Sequence, residues 1–280
     1  MKIAYLCSLK KYRSVKIKQV LSALERFAPL PLQESWDNAG LQLGLTEAEV
    51  SGALLCLDVN EPVVDEAIDR GCNLIVSHHP LLFRGLKQIT GGTMVERCVI
   101  KAIKHDVVIV SMHTNMDNAM GGVNWKMAEK LGLTGVSFLA PLSAPDPLQA
   151  KVEAGSGVVG ELPEAMETRA FVELVKKQFT CQCAQCNELL RRPVRKVALC
   201  GGAGDFLLPD AVRLGADAFI TGEMHYHQYF GMEQQIQICV IGHYESEQWT
   251  AEIFRDIIQR ECPGVRCEVT ANNTNPINYM

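Results

Sequence analysis

Short, uniformly apolar segments that alternate with helical segments are the feature that most constrains how this sequence folds. In the first half, residues 53–59, 74–77 and 107–112 are predicted strands, and residues 62–70 and 94–105 are predicted helices between them. Strands that are apolar throughout, rather than at every second position, are buried on both faces. The alternation therefore predicts an α/β fold whose sheet is covered by helices on both sides.

The same order of elements recurs in the second half of the chain. In each half, a helix is followed by a glycine, an apolar strand and a polar cluster. This series ends at His79 in the first half and at Glu223 in the second. We therefore predict two similar α/β lobes with mixed sheets facing a shared metal-binding cleft, although α/β alternation alone could also produce this pattern. The predicted organisation is an N-terminal extension (1–14), a first lobe (15–140), a Pro-rich linker (141–150) and a second lobe (151–280).

Charge and composition exclude several classes of protein. Lys and Arg number 27 against 32 Asp and Glu, a net charge of −5, which disfavours nucleic-acid binding through a broad basic face but permits a small anionic ligand. No apolar run reaches the roughly 18 residues that span a bilayer. The N-terminal apolar stretch is too short for a signal peptide, and eleven cysteines cannot all pair within one chain. We expect a cytoplasmic protein with reduced cysteines.

Candidate metal ligands follow three of the predicted strands. They are His78 and His79 after strand 74–77, Asp117 after strand 107–112, and His243 and Glu247 after strand 236–241. In open α/β sheets, binding sites form beyond the carboxyl ends of the strands, so these side chains are expected to converge. Imidazole and carboxylate ligands suit Zn, Fe, Mn or Ni without choosing among them.

Two features of this set favour two ions over one. Adjacent histidines point in different directions, so His78 and His79 suit separate ions. Glu247 lies four residues after His243, on the same side of a helix start, and its carboxylate offers two oxygens for a bridge. His113 is expected to orient Asp117, since ligands of metals usually have such partners. The sequence therefore predicts two divalent metal ions per subunit.

Four motifs resemble the GTP cyclohydrolase 1 type 2 homologue family, also called Nif-three-like. They are residues 34–44 (ESWDNAGLQLG), 77–86 (SHHPLLFRGL), 113–117 (HTNMD) and 242–247 (GHYESE), and the likeness runs from about Val15 to the C-terminus. The resemblance implies two similar lobes, a dinuclear metal centre and a toroidal homohexamer. It assigns metal ligation to His78, His79, Asp117, His243 and Glu247, all of which match, with Glu247 touching both ions.

Weaker candidates surround this set. Glu223 and His227 follow the predicted strand 218–221 and are predicted acid–base groups that could protonate a leaving nitrogen, although the polar start of a helix explains them equally well. Arg84 and Lys87 could meet a phosphate or be solvated loop charges. Cys181, Cys183 and Cys186 fit no common zinc spacing, and we do not predict a site there.

Two classes of function compete. In the first, the ions deprotonate a water whose pKa falls to about 7, and the protein is a dinuclear metal-dependent hydrolase. The family name implies opening of the imidazole ring of GTP with release of formate, but a phosphoesterase would need the same ligands. In the second, the protein is a metal-binding scaffold or regulator without catalysis.

Overall fold

The computed structural model describes residues 14–142 and 153–280. The predicted Pro-rich linker lies outside the described residues from position 143 onward, and so does the predicted N-terminal extension except Ser14. The strands are β1 (Gly40–Leu43), β2 (Ala53–Cys56), β3 (Leu74–Ser77), β4 (Val108–Ser111), β5 (Thr134–Pro141), β6 (Gly155–Met166), β7 (Gln185–Cys186), β8 (Val194–Cys200), β9 (Ala218–Thr221), β10 (Gln237–Val240) and β11 (Cys267–Val269). The α-helices are α1 (Ile17–Phe27), α2 (Glu61–Asp69), α3 (Met94–Lys104), α4 (Thr114–Asn118), α5 (Val123–Leu131), α6 (Thr168–Gln178), α7 (Leu208–Arg213), α8 (His243–Glu247) and α9 (Thr250–Glu261).

The strands form two mixed sheets, so the predicted α/β class is confirmed. One sheet has five strands in the order β1-β4-β3-β2-β11, and the other has six in the order β5-β6-β8-β9-β10-β7. In each sheet three central strands run parallel: β2, β3 and β4 in the first, and β8, β9 and β10 in the second. Antiparallel strands flank these central strands, with β1 at one edge of the first sheet and β5, β6 and β7 on the second.

Helices cover both faces of the first sheet, which explains why its strands are apolar throughout. Successive residues of a strand point to opposite faces. Leu55 packs in a cluster with Phe254 of α9 and Leu24 of α1, whereas its neighbour Leu54 packs in a different cluster with Val63 of α2. Because each position meets an apolar layer, alternation with polar residues would leave buried polar groups.

The end of the chain belongs with the first sheet, contrary to the sequence expectation for residues 151–280. Strand β11 pairs in parallel with β2, with Cys267 opposite Ala53, and Phe254 of α9 packs beside Leu55. The helical segment after β10 is divided: α8 ends at Glu247 and α9 begins at Thr250. The first sheet is therefore built from segments at both ends of the chain.

The second sheet contains two strands, β5 and β6, that the sequence pattern did not predict. Strands β5 and β6 pair antiparallel, and β6 also pairs with β8 with a register shift between Glu161 and Met166. Phe171 and Phe179 pack on one face, and Leu208 of α7 packs on the other. No helix within the two described stretches is long and apolar enough to cross a membrane.

Candidate metal centre

The predicted ligands lie just beyond the carboxyl ends of three parallel strands. His78 and His79 follow β3, Asp117 lies on α4 after β4, and α8 after β10 begins with His243 and ends with Glu247. In the turn after β3, the Ser77 hydroxyl donates to the backbone carbonyl of His79 at 2.9 Å. These contacts place the histidine pair at the edge of the sheet, as the strand-end rule predicts.

Gly242 is required by the turn that leads from β10 into α8. Its φ is +101°, in the region that glycine adopts without strain, and a Cβ there would lie 2.1 Å from Oε2 of Glu245. The turn starts α8 immediately, so His243 and Glu247 occupy successive positions on one side of a single helical turn.

The ligating atoms converge on one oxygen of Glu247. Its Oε2 lies 3.0 Å from Nε2 of His79, 3.1 Å from Nε2 of His243 and 3.7 Å from Nε2 of His78. Nε2 of His78 lies 3.6 Å from Oδ1 of Asp117. Two groups therefore share Glu247: His79, His243 and Glu247 form one, and His78, Asp117 and Glu247 form the other.

The hydrogen bonds of the other ring nitrogens fix which atoms face the centre. Nδ1 of His78 lies 2.8 Å from the Met112 carbonyl, and Nδ1 of His79 lies 2.7 Å from Oδ1 of Asp58. Nδ1 of His243 lies 2.6 Å from Oε1 of Glu223. A carbonyl or carboxylate only accepts, so each Nδ1 carries a hydrogen, and each neutral ring presents the Nε2 lone pair to the carboxylates.

With the histidine rings neutral, this arrangement leaves acceptors facing acceptors, which a cation would satisfy. Nε2 of His78 and Oδ1 of Asp117 are buried without a hydrogen-bond partner within the described residues. Ligands at about 2.1 Å from one ion lie about 3.4 Å apart in a tetrahedron and about 3.0 Å apart at adjacent positions of an octahedron. The separations of 3.0 and 3.1 Å lie within this range, and those of 3.6 and 3.7 Å lie slightly above it. The residues present therefore fit a divalent metal centre.

The cluster opens into a cavity of about 710 Å³. Its lining includes His79 and Phe83 from loops of the first sheet, and Gly201 and Phe206 from the loop after β8 in the second. His79, Asp117, His243 and Glu247 line it, whereas His78 is fully buried behind them. A ligand in this cavity would reach the atoms that converge on Glu247.

Comparison with known proteins agrees with the four motifs. A family model described as Duf34/NIF3 (NGG1p interacting factor 3) matches residues 15–276. The chain belongs to the Duf34/NIF3 family. The GTP cyclohydrolase 1 type 2 homolog of Clostridium acetobutylicum is 34% identical over 236 residues, which cover 84% of this chain and 86% of that protein. The Clostridium perfringens protein of the same description is 35% identical over 234 residues, covering 83% and 87%.

Solved structures of the family share this architecture. The structure of a Bacillus cereus protein related to NIF3 has a TM-score of 0.86 to this chain at 26% identity, and it covers 96% of this chain and 100% of its own. The resemblance predicted from residues 34–44, 77–86, 113–117 and 242–247 is confirmed at the level of the family.

In this Duf34/NIF3 chain, charges within the cluster strongly shift the pKa values of its histidines and carboxyls. Burial disfavours the charged ring of His79, but hydrogen bonds to Asp58 and Glu247 raise its pKa to about 10. Burial likewise opposes charge on His243, and contacts with Glu247 and Glu223 raise its pKa to about 9. In the metal-free state, protons on these two rings occupy the place that a cation would take, so metal binding must release them.

The buried carboxyls shift in opposite directions. Burial raises the pKa of Asp117 well above its usual range, and the nearby charge of Glu247 raises it further. Burial also acts to raise the pKa of Glu247, but the surrounding histidines hold it well below its usual range. Burial lowers the pKa of His78, which keeps that ring neutral with its lone pair available.

Two aspartates that hold the histidines were not among the predicted metal ligands or acid–base residues. Asp58 accepts from His79, and its other oxygen accepts from the Thr274 hydroxyl at 2.8 Å. Asp37 accepts from Nδ1 of His113 at 2.7 Å, so His113 pairs with Asp37 rather than with Asp117 as expected. Asp58 follows the carboxyl end of β2, so the strand-end rule could have identified it. Asp37 lies in the motif at residues 34–44, which marked this loop without indicating its partner His113.

The structure separates the two predicted acid–base residues. Glu223 lies against His243, where its carboxylate accepts from Nδ1 and orients the ring. His227 is exposed, and its ring contacts Tyr226 and Phe230 rather than any of the five predicted ligands. Glu223 is therefore brought to the cluster and His227 is not. In contrast, His113 lines the cavity and lies within ligand distance of His78 and His79.

The remaining candidates lie outside the cluster. Arg84 and Lys87 are exposed and do not line the cavity. The cysteine-rich segment has its own contacts: the Cys181 thiol donates to the Cys183 carbonyl at 2.8 Å, and the Cys186 sulfur lies 4.0 Å from that of Cys239. Within residues 14–142 and 153–280, no cysteine belongs to a group of potential metal ligands.

Proposed function

We propose that this protein is a dinuclear divalent-metal-dependent hydrolase. The observation that carries the proposal is the convergence of hydrogen-bond acceptors on Oε2 of Glu247, at the wall of a 710 Å³ cavity. The residues that would hold the two ions are His78, His79, Asp117, His243 and Glu247. Their mixture of imidazole and carboxylate suits Zn, Fe, Mn or Ni.

The side chains around the ligands have distinct tasks in this proposal. When bound, a divalent pair supplies Lewis acidity and an activated water. Asp58 and Glu223 hold the rings of His79 and His243 so that each Nε2 faces Glu247. Because Asp37 takes the Nδ1 hydrogen of His113, the Nε2 of that ring remains free to accept a proton from a group bound in the cavity. We propose His113 for the proton-transfer role that the sequence assigned to Glu223 and His227.

The open cavity favours a hydrolase over a scaffold that uses its metals only for structure. Structural sites are saturated by protein ligands, whereas catalytic sites keep a position open to substrate. Relatives bear the description GTP cyclohydrolase 1 type 2 homolog, so opening of a purine imidazole ring is the specific reaction to test first. Hydrolysis of a phosphoester is the second reaction, because it requires the same ligands.

The test combines metal loading with two assays. Purified protein loaded separately with Zn, Fe, Mn and Ni is assayed for formate release from GTP and for hydrolysis of p-nitrophenyl phosphate. We expect turnover that is lost in the variant His79→Ala, Glu247→Ala and kept in His105→Ala, which removes an exposed histidine outside the cluster. Turnover that survives the double substitution refutes the proposal, and metal uptake with no turnover on either substrate favours the scaffold.

We also propose a toroidal homohexamer and a cytoplasmic location. The hexamer is supported by the family resemblance alone, and native mass spectrometry tests it, since a monomer or dimer would refute it. The cytoplasmic location is supported by the cysteines: all ten within the described residues are free thiols. Fractionation of cells that express the protein would test that location.

A further inference from the structure

We infer that the cavity beside the cluster binds a planar nitrogen heterocycle with N–H donors and recognises it by its ring. The inference rests on the proposed function, because it names the ligand class of the same site. Two observations carry it: aromatic side chains on both sides of the cavity and an oriented carboxylate.

Aromatic side chains from both sheets line the cavity while remaining largely exposed. Trp36 is 59% exposed and Phe83 is 46% exposed, and both lie in loops of the first sheet. Phe206 is 58% exposed and lies in the loop after β8 of the second sheet. Single exposed apolar residues are common, but three large rings on one cavity form a surface suited to a flat ligand.

The indole of Trp36 is held in place without a ligand. Its ring centroid lies 5.9 Å from that of Phe83 and 6.0 Å from that of His113, and both contacts are near-perpendicular. A ring that is already fixed loses little conformational entropy when a base stacks on it. Stacking of a base on an aromatic side chain contributes enough that its removal weakens binding about tenfold.

Glu34 supplies a carboxylate at the same cavity, and the fold orients it. Nδ2 of Asn118 lies 3.3 Å from Oε1 of Glu34, and the backbone N–H of Glu34 donates to the Thr114 hydroxyl at 2.9 Å. Asn118 is itself buried and accepts from the Ser156 hydroxyl at 3.0 Å. A carboxylate only accepts hydrogen bonds, so the remaining lone pairs of Glu34 suit N–H groups on the edge of a heterocycle.

The charged side chains that line the cavity suit the ring of a ligand better than a phosphate. Glu34, Asp117 and Glu247 contribute carboxylates, and none of the lining residues in the described part of the chain is a lysine or an arginine. Two divalent ions would bring four positive charges to these three carboxylates, so a phosphate would contact the ions, whereas Glu34 would remain available to the ring. The volume of about 710 Å³ lies within the usual range for small-molecule sites and accommodates a base with its ribose.

The experiment measures binding to the metal-loaded protein by calorimetry, with guanosine, 1-methylguanosine and GTP as probes. We expect both guanosine and GTP to bind, because both present the same ring. We expect 1-methylguanosine, which lacks one N–H donor, to bind more weakly than guanosine. Trp36→Leu and Glu34→Gln should each weaken guanosine binding about tenfold. Phe230→Leu and Glu129→Gln, which change an exposed ring and an exposed carboxylate outside the cavity, should not.

The outcomes separate this inference from the proposed function. Absence of guanosine binding, equal affinity for guanosine and 1-methylguanosine, or unchanged affinity in Trp36→Leu and Glu34→Gln would overturn the inference. Metal-dependent turnover of p-nitrophenyl phosphate together with any of these results would leave the hydrolase standing and remove only the ligand class. Guanosine binding without any turnover would refute the hydrolase and keep the ligand class.

Discussion

Replacement of Asp58 by Asn tests whether the residues behind the ligands set the affinity for metal. Asp58 accepts from Nδ1 of His79 at 2.7 Å and contributes to the pKa of about 10 of that ring. Asn has nearly the same shape but no charge, so the substitution removes the electrostatic part of the contact. The ring then becomes less basic, and its Nε2 becomes a weaker ligand.

The magnitude follows from the pKa of His79. A rise from 6.5 to about 10 corresponds to about 5 kcal/mol in favour of the charged ring, at about 1.36 kcal/mol per unit. Glu247 shares this effect with Asp58, so we assign about 2 kcal/mol to Asp58. That energy corresponds to about thirtyfold in metal affinity, within the ten- to hundredfold range typical for partners of ligating histidines.

The assay is a competition between the protein and a chromophoric chelator for Zn. Asp58→Asn should bind Zn about thirtyfold more weakly than the unsubstituted protein once both affinities are corrected for the protons that Zn displaces, because a less basic ring also binds its own proton more weakly. Thr274→Val is the matched control, since it removes only the hydroxyl that donates to the other oxygen of Asp58. An affinity of Asp58→Asn within threefold of the unsubstituted protein would refute the reasoning, because Asp58 would then not tune the ligand.

Three further predictions concern pH and backbone. Metal affinity should rise about ten- to hundredfold per pH unit below pH 9, because the cation must displace protons from His79 and His243, whose pKa values are about 10 and about 9. Chelator competition at pH 6 to 8 measures this rise, and an affinity that does not change with pH contradicts the prediction. Asp37→Asn should lower the free energy of unfolding by about 2 kcal/mol at pH 7. Burial acts to raise the pKa of Asp37, but contacts with His113 and Thr114 lower it to about 2, so this stability is present above about pH 4 and lost as the pH falls towards 2. Urea unfolding of the variant and of the unsubstituted protein at pH 2 and pH 7 measures this loss. A difference in unfolding free energy that is equal at the two pH values would contradict the prediction. Gly242→Ala should lower the free energy of unfolding by about 3 kcal/mol because its Cβ would meet Glu245. In the same experiment Gly215→Ala, at φ +68° with open space around the Cβ, should lower it by about 1 kcal/mol. Equal losses would contradict the steric argument.

The central strands and the convergence of the candidate ligands could be predicted because their signals are local. Strands β3 and β9 have the bounds predicted from apolar runs, Leu74–Ser77 and Ala218–Thr221. A strand buried on both faces must be apolar at every position, so its ends are marked by the first polar residue. For the same reason, candidate ligands at strand ends stand out in the sequence. His78 is one, since it follows β3 directly.

The features that were not predicted depend on contacts between distant segments. Strand β11 joins the first sheet only because Cys267 meets Ala53, and nothing near either residue signals that pairing. Strand β6 mixes buried and exposed positions and carries a register shift after Glu161, which obscures its period. The pairing of His113 with Asp37 is likewise long-range, so the rule that ligands have partners could not identify which partner.

The most direct test of a dinuclear centre is the number of metal ions per chain. Purified protein is saturated with Zn, desalted and analysed by elemental mass spectrometry, beside the variants Asp117→Ala and Glu247→Ala. The shared position of Glu247 predicts two ions in the unsubstituted chain, one in Asp117→Ala and at most one weakly held ion in Glu247→Ala. One ion or none in the unsubstituted chain, or two ions retained in Glu247→Ala, would contradict the account.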